Sequence, residues 1–160
     1  MSLLLILLSH RLGPSNCAIA EPPGYVHAMI EATWQPNAIS VTPRGRYNDK
    51  ATGQAVGASA QASEDGKTVV VRLTNMGETA ATAELVVPGF SGGASKPTSW
   101  TLQSPGDKDG ANPPSDPTKI SPQRGTVGVG DGRAQSGDTV QLPPFSYVVV
   151  EYGGASRDII

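Results

Sequence analysis

Cysteine is almost missing from this chain: Cys17 stands alone among 160 residues, so no intramolecular disulfide and no cluster of thiolate metal ligands can form. Histidine is nearly as scarce, with His10 and His27 the two present, which leaves little from which to build a nucleophile–base pair. Charged residues make up 16% of the sequence, and the net charge of −2 comes with scattered Lys and Arg rather than a basic stripe. Such a distribution excludes nucleic acid and anionic membrane surfaces as natural partners. Long hydrophobic runs are missing too: the most apolar stretch, Leu3 to Leu8, is six residues, far short of a bilayer span. No Asn-x-Ser/Thr acceptor for glycosylation occurs.

What the sequence has in quantity is punctuation. Nineteen Gly and fourteen Pro break it into many short pieces, and its length suits one domain able to bury roughly 70% of the surface its unfolded chain exposes. That combination points to short elements joined by turns.

Residues 1–21 form a leader with two readings. Ala18-Ile19-Ala20 before Glu21 has the small-x-small form accepted by a signal peptidase, which would make the protein secreted. Against this, no positive charge precedes the apolar run and the polar stretch Ser9 to Asn16 is long, so an irregular start is the second reading. Pro22 to Trp34 is the one helical stretch: Val26, Met29, Ile30 and Thr33 fall at i, i+3, i+4, i+7, the two prolines sit in the first turn, and Gln35-Pro36 ends it.

From Ala38 the period changes to two. Gln54 to Ala62 is a weak strand of small residues, followed by the turn Ser63-Glu64-Asp65-Gly66. Lys67 to Asn75 is the strongest strand, with Val69, Val71 and Leu73 on one face and Val70, Arg72 and Thr74 on the other. Thr79 to Val87 alternates as well, and with its predecessor reads as an antiparallel meander. Ser99 to Gln103 is shorter. Thr139 to Leu142 and Phe145 to Tyr152 bracket Pro143-Pro144, and the continuous apolar character of the last strand places it centrally, covered on both faces. The predicted fold is all-β: a two-sheet antiparallel, jelly-roll-like β-sandwich over 38–152, preceded by one short helix over 22–37. A small barrel is the second architecture. Residues 104–137, rich in Pro and Gly, form a long loop that is either ordered by anchors such as Ile120 or disordered, and 153–160 form a loose tail.

The search for chemistry yields mostly turn residues. Glycoside hydrolysis needs two carboxylates flanking one bond. Here Glu64, Asp65, Asp107, Asp109, Asp116, Asp131 and Asp138 all fall in turn or loop stretches beside Gly or Pro. Asp107-Lys108-Asp109-Gly110 has the look of a calcium loop, but its ligand spacing stops after two oxygens. Gly128 to Gly132 lacks the strand and helix that would make a phosphate loop. His27 has no second ligand nearby and reads as an ordinary packed or half-exposed side chain. Trp100 and Tyr147 would suit sugar stacking if they point outward, but their apolar strand neighbours favour the core. No residue is therefore assigned to catalysis, to a cofactor or to a metal.

Several of these pieces, taken in order, resemble the C-terminal region of α-L-arabinofuranosidase-type glycoside hydrolases. Pro22 to Ile30, with Trp34 and Pro36-Asn37, is similar to the last helix of the catalytic barrel. Ser63 to Asn75 is similar to a strand of the β-domain that ends in asparagine; Trp100-Thr101-Leu102 with Asn112, Pro117, Ile120 and Pro122 to its tryptophan strand and following loop; and Leu142 to Val150 to its closing strand. The resemblance implies an accessory β-domain that packs on a (β/α) barrel, within an enzyme acting on arabinose-containing polysaccharides. It also implies that this chain, lacking the barrel and its carboxylates, is inactive by itself. A stand-alone carbohydrate-binding β-sandwich module is the alternative.

Overall fold

A computed structural model describes residues 20–44, 48–49, 54–90, 96–106, 109–130 and 137–154. Both readings of the leader, apart from Ala20 and Glu21, and the tail beyond Gly154 fall outside the described residues. Among these residues one helix, α1 (Pro22–Ala32), precedes ten strands: β1 (Asn37–Ile39), β2 (Asn48–Asp49), β3 (Gln54–Ala62), β4 (Val69–Asn75), β5 (Ala81–Leu85), β6 (Thr98–Gln103), β7 (Gln123–Gly125), β8 (Val127–Gly128), β9 (Asp138–Leu142) and β10 (Ser146–Tyr152). The large sheet runs β1-β3-β4-β10-β6-β7, with β2 alongside β3, and the small sheet runs β5-β9-β8. Every pairing is antiparallel. This is the expected all-β sandwich preceded by a helix.

Alternation decides what each sheet face carries. Val69, Val71 and Leu73 of β4 and Val148, Val150 and Tyr152 of β10 point toward the small sheet, where they meet Val140 and Leu142 of β9 in one buried cluster. The opposite parity, Val70 of β4 and Val149 of β10, points away, into a second cluster with Trp100, Leu102, Ile120, Tyr25 and Met29. An antiparallel sheet commonly leaves one face to water. Here α1 and Ile120 cover that face, and β10 is buried on both sides, as its apolar continuity predicts.

The β3–β4 hairpin closes on the expected turn. Ser63 Oγ donates to Asp65 Oδ1 at 2.7 Å, the Lys67 N–H donates to the same oxygen at 3.1 Å, and Gly66 takes the positive φ of 67° that glycine tolerates. These two hydrogen bonds, Ser63's first, hold the Asp65 carboxyl below its ordinary pKa.

The predicted meander of β4 with β5 is not formed. Both edges of β4 are taken, by β3 and β10, and β5 pairs with β9 in the other sheet. Asn75 directs that departure: its Nδ2 donates to the carbonyls of Thr79, Leu142 and Pro143, and its Oδ1 accepts the Gly77 N–H. The 104–137 stretch is also more structured than a plain loop, since it contributes β7 and β8, one to each sheet. Ile120 is its buried anchor.

Candidate functional site

The face of the large sheet that carries α1 holds the buried polar residues Thr33, Gln35, Arg72 and Asn112 and the most exposed tryptophan, Trp34. α1 has two apolar stripes about 100° apart. Tyr25, Met29 and Thr33, spaced i, i+4, i+8, are buried against the sheet. Val26, Ile30 and Trp34, one position round, are less covered, and Trp34 is 57% exposed. Periodicity merged the two stripes into one face and passed over Tyr25.

Hydrogen bonds fasten both ends of α1. At its start, Asn112 Nδ2 donates to the Ala20 carbonyl at 2.8 Å and to the Ile120 carbonyl at 2.9 Å, and Asn112 Oδ1 accepts the Ile120 N–H at 2.7 Å. The Asn112 N–H also reaches Glu21 Oε2 at 3.4 Å. At its end lies Arg72, on β4 and 7% exposed. Its Nη2 donates to the Thr33 carbonyl at 2.9 Å and to Thr33 Oγ1 at 3.2 Å, and its Nη1 donates to Gln61 Oε1 at 2.6 Å. The same Gln61 oxygen accepts the Gln35 N–H at 3.4 Å. Thr33 in turn donates from its hydroxyl to the Met29 carbonyl at 2.7 Å.

No carboxylate among the described residues shares these hydrogen bonds with Arg72. The negative end of the helix dipole, at which a cation is favoured, is its counter-charge instead. Burial lowers the pKa of Arg72, and nearby Tyr147 acts in the opposite sense. Burial raises the pKa of Tyr147, and Arg72 opposes it. The Tyr147 hydroxyl is enclosed, with no hydrogen-bond partner among the described residues.

Trp100 is buried under α1 with Arg124 over its ring at 5.9 Å, so it faces no solvent groove. Tyr147 packs against the same cluster. His27 is on the exposed side of α1. Glu64 and Asp65 occupy the β3–β4 turn, and Asp109 and Asp116 lie exposed after β6. Asp107, Lys108, Asp131 and Gly132 lie outside the described residues, and with them the calcium-loop reading and the end of the glycine-rich stretch.

Asp138 requires correction. It is not a loop residue but the first residue of β9, 0% exposed, and its Oδ1 accepts the Gly130 N–H at 2.9 Å. The other fully buried carboxylate, Glu151 on β10, has the opposite parity to Tyr152 and faces the α1 side. The large sheet thus separates the two, which is not the arrangement of a hydrolytic pair flanking one bond. Among the described residues no group of three or more His, Cys, Asp or Glu side chains is gathered to hold a metal ion. No helix among them is long and apolar enough to cross a membrane.

The architecture has solved counterparts within glycoside hydrolases. An arabinose-bound GH51 α-L-arabinofuranosidase, MgGH51, superposes with a TM-score of 0.64 at 18% identity, over 86% of this chain and 20% of that one. The catalytic domain of the GH30 xylanase C of Talaromyces cellulolyticus superposes at 0.52 and 20% identity, over 80% and 23%. The GH51 α-L-arabinofuranosidase of Thermotoga petrophila RKU-1 shows 26% identity and a TM-score of 0.49, over 60% and 18%. No family model and no curated protein matches the chain. The resemblance read from the sequence therefore holds at the level of fold: the chain is similar to a part of these enzymes, spanning about a fifth of their length.

Proposed function

We propose that this chain forms the accessory β-domain of an α-L-arabinofuranosidase-like glycoside hydrolase that acts on arabinose-containing polysaccharides. In this reading the hydrolytic carboxylates belong to a (β/α) barrel outside these 160 residues, and the chain turns over no glycoside by itself. Its contribution is to stabilise and orient that barrel.

The observation that carries the reading is Trp34, 57% exposed just past the C-terminal end of α1. It follows a helix that resembles the last helix of such a barrel and that is fastened to the sandwich at both ends. An exposed tryptophan held in this way suits burial against a second domain.

Exposure of Trp34 also gives the carbohydrate-binding module its one supporting observation. Against that reading, Trp34 is the sole exposed aromatic side chain among the described residues, whereas a sugar-binding groove usually gathers several groups. Co-expression with the barrel domain of a GH51 α-L-arabinofuranosidase distinguishes the two. The accessory reading expects a stable complex whose melting temperature falls by several degrees with Trp34→Asp, while the isolated chain melts as before. The module reading expects saturable quenching of Trp34 by arabino-oligosaccharides, which Trp34→Ala abolishes.

A further inference from the structure

A buried guanidinium whose partners among the described residues are all neutral oxygens is an expensive way to hold a helix, because the charge loses its hydration without an ionised partner there. The apolar stripe Tyr25–Met29 already supplies the burial that attaches α1. What Arg72 adds is geometry. Its planar fork spans two elements at once, the C-cap Thr33 and Gln61 on β3, and Gln61 in turn takes the Gln35 N–H. Thr33 and Gln35 are therefore both pinned inward, and Trp34 between them is turned outward.

We propose that Arg72 is a positioning residue, a latch that sets the register of the α1 C-terminus on the sheet and thereby holds Trp34 in its outward direction. The latch sits in this chain alone, so it does not depend on the barrel reading: a failed barrel complex leaves it standing, and its own failure leaves the barrel reading untouched.

Three substitutions in the full chain probe it. Arg72→Lys keeps the charge but replaces the fork by a point donor that cannot serve Thr33 and Gln61 together. Gln61→Leu removes the shared acceptor without touching the charge. Gln61→Glu keeps an acceptor oxygen for both donors and is the conservative control. Amide hydrogen exchange under native conditions reads local opening separately from global unfolding. The expected result is at least tenfold faster exchange of the Thr33 and Gln35 amides in Arg72→Lys and Gln61→Leu, wild-type protection in Gln61→Glu, and unchanged protection of Val148 to Val150 in all three. Two results overturn the proposal. One is unchanged exchange at Thr33 and Gln35 in both disruptive variants. The other is a parallel loss of protection in α1 and β10, which would make Arg72 a contributor to overall stability only.

Discussion

Asn75 Nδ2 donates to the Leu142 carbonyl at 3.0 Å, tying the end of a central strand in the large sheet to the end of the central strand in the small one. The same amide reaches Thr79 and Pro143, so one side chain fixes both the exit of the chain from β4 and the corner between β9 and β10. Asn75→Ala leaves several carbonyls unsatisfied near the core. A loss of about 3 kcal/mol is expected, taking roughly 1 kcal/mol for each of the two amide protons and for the bond accepted by Oδ1. Urea unfolding of the variant, followed by circular dichroism, measures it.

Met29 is fully buried between α1 and the large sheet. Met29→Ala removes most of that side chain and leaves a cavity, for which ~2–5 kcal/mol of destabilisation is expected. His27→Ala, two residues away on the exposed side, is expected to stay within about 0.5 kcal/mol of the parent. Equal effects of the two substitutions in thermal unfolding would show that α1 does not pack through Met29.

Tyr152 sets an alkaline limit. Burial raises its pKa above the ordinary 10.0, and the neighbouring Asp138 carboxylate adds to the shift. A raised folded-state value means that the stabilisation is complete below pH 10.0 and is lost as pH rises from there through the folded pKa, because the unfolded chain ionises first. Melting temperatures are expected to hold to about pH 10 and then to fall. Tyr152→Phe keeps the edge contact with Phe90 and removes this part of the decline, leaving the smaller part due to Tyr147. A variant with an undiminished alkaline decline would contradict the assignment.

The two tryptophans differ sharply in access. Trp34 is 57% exposed and Trp100 is 3% exposed. Acrylamide quenching of the native chain is expected to resolve one accessible and one shielded fluorophore, and Trp34→Phe is expected to remove the accessible one. A single, uniformly quenched population in the parent would sink the placement of Trp100 under α1.

Elements with a long regular pattern were legible in the sequence. The alternation of β4, the apolar run of β10 and the proline-bounded α1 were all readable, because burial of their own side chains decides them. β1, β2, β7 and β8 were not: at two or three residues each they carry no period, and a neighbouring strand alone makes them strands. Sequence adjacency placed β5 beside β4, whereas Asn75 and the occupied edges of β4 send it to the other sheet.

Arg72 escaped notice because it alternates with apolar residues, as a solvated outer face does. Its true setting was hinted at by Val70 and Val149, which are apolar on that same face and require a cover. Asn112 was legible only through resemblance, since nothing in its local sequence reveals a partner ninety-two residues away at Ala20.

The proposed function makes this chain the accessory part of a glycoside hydrolase, with catalysis left to a barrel domain. It is tested most directly by incubating the purified full chain with a nitrophenyl α-L-arabinofuranoside. The account predicts no release of nitrophenol above the uncatalysed rate at any pH where the protein is folded. Turnover that copurifies with the chain through successive columns, and disappears when one of its own carboxylates is changed to the amide, would contradict it.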